Sequence, residues 1–114
     1  MRVTSNLWVS ALLRRIFSSG GYGAVLRRGG DSAGAIFIVT RNRLGEVAFF
    51  APAPQTDYAE GRPDERRFVK VAAVEDDEAV RARVEREARF DPDVWFVEIE
   101  PSGDIANLFP VTTP

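Results

Sequence analysis

The chain has 114 residues, of which 45% are apolar and 28% are charged, and its net charge is −2. This length suits one domain, and the composition is too apolar for intrinsic disorder and too charged for a membrane-embedded protein. Cysteine and histidine are both absent, which excludes disulfides, thiolate zinc sites and cysteine nucleophiles and removes the usual general base. We therefore expect a single domain over residues 1–114, with an ordered core from about residue 4 to 100, a turn-rich tail over 101–114, and no metal or cofactor.

Charge is distributed unevenly along the chain. Residues 1–70 carry eleven basic and six acidic side chains, whereas residues 71–114 carry four basic and eleven acidic ones. The two halves can pair within the fold, and the alternative is an anionic partner on the basic half.

An apolar stretch from Leu7 to Phe17, near the N-terminus, could be mistaken for a signal peptide. Arg14 and Arg15 interrupt it, no small-residue cleavage pattern follows, and no run approaches the roughly 18 residues that span a bilayer. We expect a cytoplasmic protein without a membrane segment.

The same stretch predicts a first helix. Residues 4–6 are good N-cap residues, and Gly20 and Gly21 provide the positive φ that ends a helix. Its apolar positions recur at helical spacing: Trp8, Val9, Ala11, Leu12, Leu13, Ile16 and Phe17. Because most of its circumference is apolar, the helix is either sandwiched within the monomer or packs a sheet on one face and a second copy on another. We favour self-association through this helix.

The remaining elements follow from alternation, turn residues and caps. The predicted elements are strands Tyr22–Arg28, Ala33–Thr40 and Glu46–Ala51 as an antiparallel meander, a long loop over 51–66, strand Arg67–Val74, a helix from Asp76 to about Arg89, and strand Val94–Glu100. The fold class is therefore α+β, a mostly antiparallel sheet of about five strands in the order α-β-β-β-β-α-β, with the N-terminal amphipathic helix packed on it.

Two glycine motifs have a structural explanation. Gly30 to Gly34 matches the G-x-S-x-G nucleophile elbow, but a strand rather than a helix follows it and no histidine exists to activate Ser32. A turn between two strands is expected there. Gly20 to Gly23 follows a helix instead of opening one, so a cap is expected rather than a phosphate loop.

Acidic and basic clusters also have competing explanations. Asp76, Asp77 and Glu78 cap a helix rather than bind a metal, and Glu98 and Glu100, on one face of the last strand, are expected to face solvent or pair with arginines. The arginines that could form a basic nucleic-acid surface are Arg27, Arg28, Arg41, Arg43, Arg62, Arg66 and Arg67. Such a surface requires continuity and exposed aromatics.

Five stretches in order along the chain resemble the DUF1491 family of small alphaproteobacterial proteins of unknown function. They are residues 7–15, 34–37, 51–55, 66–68 and 89–98. The resemblance implies a bacterial, non-secreted, single-domain protein, and it brings no catalytic residues with it.

The loop over residues 51–67 is the best candidate site, because a fold does not obviously require its residues. The candidates for ligand or partner binding are Pro52, Pro54, Gln55, Tyr58, Arg62, Arg66 and Arg67. Our leading hypothesis is a non-enzymatic binding or accessory module, dimeric, that holds a protein or an anionic ligand there. The alternative is a small histidine-independent enzyme that uses Asp57, Tyr58, Asp64, Glu65 and Arg66, and the third is a weak nucleic-acid binder.

Overall fold

The computed structural model describes residues 3–53, 66–74 and 76–112. These residues form helices α1 (Ser5–Ser18) and α2 (Asp77–Phe90) and strands β1 (Tyr22–Arg27), β2 (Ile36–Arg41), β3 (Val47–Pro52), β4 (Phe68–Val74), β5 (Trp95–Glu100) and β6 (Val111–Thr112). The α+β class is confirmed, and each predicted element lies within a few residues of its observed position.

The strands form one mixed sheet in the order β1-β5-β2-β3-β4-β6. β5 pairs antiparallel with β1 and parallel with β2, and β4 pairs parallel with β6. The antiparallel meander therefore consists of β2, β3 and β4, and the expected β1-β2-β3 meander is wrong because β5 separates β1 from β2. Sequence proximity favours neighbouring strands, but the burial of β5 on both faces outweighs it.

β5 divides the interior into two cores, one on each face of the sheet. Trp95, Val97 and Ile99 alternate along the strand and face α1. Val94 and Phe96 face α2. Because all five of these side chains are almost completely buried, β5 contributes to both layers of the domain.

α1 begins at the predicted cap, where the Thr4 hydroxyl accepts a hydrogen bond from the Leu7 amide at 3.2 Å. Val9, Leu12 and Ile16 are its buried apolar residues. Phe17, which is also one of the apolar positions of the predicted helix, is 53% exposed. The described part of the chain thus covers only one side of this helix.

α2 covers the opposite face of the sheet. Its carboxylate cap is Asp76, which accepts from the Ala79 amide at 2.9 Å. Val80, Val84 and Ala88, spaced four residues apart, pack on the second core. Neither described helix has the length and apolar character needed to cross a membrane.

The segment after β5 was expected to be a turn-rich tail outside the ordered core, but part of it packs into the core. A 3₁₀ turn at Ile105–Asn107 leads into Phe109, which is 2% exposed. Its ring packs edge-on against Phe50 at 5.6 Å and Phe68 at 5.1 Å. A single aromatic residue among turn formers has no periodicity to identify it, and its burial brings residues 105–112 into the fold.

The G-x-S-x-G segment is a loop between β1 and β2, and its Ser32 is exposed. A Cβ at Gly34 would lie 2.0 Å from the backbone oxygen of Asp93 and 3.0 Å from Cδ1 of Trp95. The Trp95 indole also donates to the Gly30 carbonyl at 2.8 Å. The glycines therefore serve the close approach of the loop to Trp95.

We expect Gly34→Ala to lower the free energy of unfolding by about 1–3 kcal/mol, because its methyl group meets backbone rather than a movable side chain. Gly103→Ala is the matched control, since a Cβ there meets nothing within 4 Å. Chemical denaturation of both variants measures the difference. Equal stability of the two would contradict this account of the loop.

Candidate functional site

The structure brings together the three predicted loop residues that it describes. Pro52, Arg66 and Arg67 line a cleft of about 40 Å³ against Phe68. This volume holds little more than a water molecule or two. The other predicted residues, Pro54, Gln55, Tyr58 and Arg62, lie outside the described residues, as do Asp57, Asp64 and Glu65 of the enzyme hypothesis.

Arg66 joins the loop to the start of α1. Its Nη2 donates to the Val3 carbonyl at 3.1 Å and to the Ser5 hydroxyl at 3.2 Å. Ser5 is completely buried, and its hydroxyl donates to the Gly34 carbonyl at 2.6 Å. The described contacts of Arg66 thus hold three segments of the chain together, which is a structural role.

Arg27, the last residue of β1, and Arg28, which follows it, make different contacts within the domain. Arg27 donates to the Pro92 carbonyl at 2.9 Å. Arg28 pairs with Asp31 at 3.1 Å and lies over the Trp95 ring at 5.2 Å. Two of the seven arginines of the nucleic-acid hypothesis are therefore engaged in contacts within the domain.

A groove of about 620 Å³ lies between α2 and the β1-β5-β2 side of the sheet. Its lining residues are Leu26, Arg41, Asp77, Val80, Arg81, Val84, Glu85 and Glu98. This volume falls within the range of small-molecule sites, about 300–1,000 Å³.

Arg41 is the central polar group of the groove. Its Nη2 donates to Asp77 Oδ1 at 2.5 Å and to Glu98 Oε1 at 3.3 Å, and its side chain is 24% exposed. The hydrogen bonds to Asp77 and Glu98 raise the pKa of Arg41 above its ordinary value. The stabilisation linked to this raised pKa is therefore present at neutral pH and is lost as the pH rises through the pKa of Arg41.

The two carboxylates leave part of the Arg41 guanidinium available. Both of its hydrogen bonds use Nη2, and Nε and Nη1 make none within the described residues. Neither of these atoms is a buried, unsatisfied donor. The guanidinium is thus fixed in position and still has donors that solvent reaches.

The groove is amphipathic and slightly acidic. Leu26, Val80 and Val84 form its apolar walls. Its charged lining consists of two arginines and three carboxylates, which leaves one net negative charge. A bound molecule would meet apolar surface on its sides and the Arg41 donors at one point.

A second recess of about 440 Å³ lies on the other face of the sheet. Arg43, Lys70, Phe50 and Ile105 are among its lining residues. Arg43 and Lys70 are both exposed, and no described carboxylate fixes either of them. Arg41 reaches this recess as well, but Asp77 and Glu98, which hold its guanidinium, line only the groove.

The expectation that Glu98 pairs with an arginine is confirmed, with Arg41 as its partner. The groove itself was missed, because it requires β1, β5 and β2 to lie side by side. The available signal was the alternation of β5, which places Glu98 on the same face as Phe96 and hence on the α2 side.

The family model described as Protein of unknown function (DUF1491) matches residues 3–109. The solution structure of protein Atu0922 from A. tumefaciens is similar, with 44% identity, a TM-score of 0.80, and coverage of 100% of this chain and 98% of that one. The crystal structure of a DUF1491 family protein from Caulobacter crescentus CB15 has 32% identity, a TM-score of 0.76, and coverage of 96% and 99%. A comparison with the curated proteins found no match.

We expect Ser5→Ala to destabilise the fold by about 1–2 kcal/mol, because it leaves the Gly34 carbonyl without its donor and removes an acceptor from Arg66. Ser10→Ala is the control on the same helix, where the serine is exposed, and its stability should be unchanged or slightly higher. Thermal unfolding of the two variants provides the measurement. If Ser5→Ala has the same melting temperature as the wild type, the hydrogen bonds of Ser5 do not stabilise the start of α1.

Proposed function

Because this chain belongs to the DUF1491 family, whose function is unknown, we propose a function from the chemistry of its own groove. The protein is a non-enzymatic binding module that holds a small amphipathic molecule between α2 and the sheet. The supporting observation is the Arg41 guanidinium, which Asp77 and Glu98 hold in one orientation at the groove. A donor that is already positioned loses little conformational entropy when it binds an acceptor.

The charge of the groove selects the ligand class. Asp77 and Glu98 already neutralise Arg41, and the groove as a whole is net negative. A strongly anionic ligand would meet these carboxylates, whereas a carbonyl or amide oxygen accepts from Nε or Nη1 without that repulsion. The proposed ligand is therefore neutral or zwitterionic, with a carbonyl group and an apolar body, rather than the anion that the sequence suggested.

Binding is favoured over catalysis by the lining itself. The described lining residues contain no hydroxyl, thiol or imidazole group. Two of the three carboxylates are bound to Arg41, so they are acceptors in an ion-pair network rather than available bases. The apolar walls Leu26, Val80 and Val84 give the groove the mixed character of binding sites.

Neutral and zwitterionic N-acyl amides with an apolar tail should shift the amide resonances of Leu26, Val80 and Val84 when titrated into the labelled protein. Carboxylates with the same tail should bind more weakly. Arg41→Lys, which keeps the charge and loses the planar donor geometry, should weaken binding on the order of tenfold. Val84→Trp, which fills the groove, should abolish the shifts.

Arg43→Lys is the matched control, since Arg43 lines the other recess and not the groove. It should bind like the wild type. Amide shifts centred on Arg66, Arg67 and Phe68, or equal losses in Arg41→Lys and Arg43→Lys, would place the binding site elsewhere.

A further inference from the structure

β1 is the first strand of the sheet, and among the described strands only β5 pairs with it. Within the described residues its other edge has no partner strand. Alternate backbone N–H and C=O groups of an edge strand point outward, and such an edge is a template for another strand.

Apolar side chains surround this open edge. Phe17, Tyr22, Val25 and Leu26, which we name the edge patch, are between 39% and 53% exposed. The Phe17 and Tyr22 rings meet edge-on with centroids 6.0 Å apart, so the patch continues from α1 onto the strand. β1 contains neither proline nor lysine, the residues that commonly protect an edge, although a bulge interrupts its register between Val25 and Arg27.

We propose that β1 pairs antiparallel with β1 of a second copy, about a twofold axis at Ala24, and that the second copy thereby extends the ligand groove. The pairing of the two β1 strands is argued only from the open edge and its side chains. The extension of the groove rests on the function proposed above.

The pleat of β1 restricts the register of this pairing. A Cβ at Gly23 would meet Leu13 of α1, so Gly23 and Val25 face α1, whereas Leu26 lines the groove on the α2 side. Residues directly opposite each other in an antiparallel pair share a face. The centred register that satisfies this condition places Ala24 opposite Ala24, Tyr22 opposite Leu26, and Gly23 opposite Val25.

The charges of the two copies are compatible with this register. The only charged residue of β1 is Arg27, and the two copies of Arg27 would lie about 20 Å apart, six residues along the paired strands. Each Arg27 would lie at the end where the other copy exposes Glu100, the β5 residue that is opposite Tyr22 of β1. Opposite charges therefore approach at both ends, and like charges do not.

The same register brings the second copy to the groove. Leu26 belongs to both the edge patch and the groove lining. Tyr22 of the second copy would lie opposite Leu26. The register of Tyr22 with Glu100, which is on the same face of β5 as Glu98, directs its Cβ to the α2 side. Its ring would turn from its contact with Phe17 to reach the groove. The dimer would thus add an aromatic side chain to the apolar wall of the ligand site.

Because the chain contains no cysteine, a single introduced cysteine can form a disulfide only between copies. Ala24→Cys should give a covalent dimer under mild oxidation, since directly opposed residues have Cα atoms about 4.5–5.5 Å apart, within disulfide range. Leu44→Cys is the control, because Leu44 is 84% exposed but distant from β1 in the sheet. Equal crosslinking of the two variants, or none in Ala24→Cys, would overturn the register.

Sedimentation equilibrium of the ligand-free protein tests the pairing without reference to the groove. The wild type should have the mass of a dimer, and Val25→Lys should shift it to a monomer, because the lysine adds a charge to the edge without touching the groove lining. Phe90→Lys, at a residue that is 84% exposed on α2, should remain dimeric. A wild type that is monomeric at every concentration up to the solubility limit would overturn the proposal.

The two parts of the proposal fail in different ways. If the groove binds no ligand, the ligand-free mass is unaffected and the pairing stands. If the dimer forms and Tyr22→Ala, still dimeric, binds the N-acyl amides as the wild type does, the extension of the groove is wrong. A severalfold loss of affinity in that variant supports it.

Discussion

The burial of β5 on both faces is the constraint on which the other features depend. Trp95 is 1% exposed, and Phe96 and Val97 are fully buried. A strand of this kind is most stable inside a sheet with a layer on each side. α1 supplies one layer and α2 the other, so the last long strand of the chain lies between β1 and β2. The mixed sheet, the open edge at β1 and the groove beside β5 all follow from this insertion.

Local features of the fold could be predicted, and the strand order could not. Caps and turn residues identified both helices, and apolar spacing identified the first, whose cap is Thr4. Those signals arise within a few residues. The pairing of β5 joins it to β2, 59 residues away in the sequence, and to β1, 69 to 78 residues away. It brings Trp95 into close packing with the Gly34 loop. No local pattern encodes that choice.

The groove was not predicted as a candidate site because it, too, depends on the strand order. Loop composition drew attention to Pro52, Arg66 and Arg67, since residues that a fold does not require are often functional. The structure gives Arg66 a fold requirement after all, through Val3 and the buried Ser5. Arg41 and Glu98 are 57 residues apart in the sequence, so their proximity appears only when β5 lies beside β2.

Leu26 belongs to both the open edge and the groove lining. Pairing of two copies at the edge and binding of a ligand in the groove are therefore expected to be thermodynamically linked. If a second copy completes the apolar wall, the ligand binds the dimer more tightly than the monomer. Linkage then requires the ligand to favour the dimer by the same factor. Differential affinity for two states is the only means by which a ligand shifts their equilibrium. In a fold whose β5 is fixed by burial on both sides, the edge strand β1 is the element most able to respond, because its outer side has no partner among the described residues. A weak dimer at that edge would therefore be a means of control, with self-association and ligand occupancy each strengthening the other.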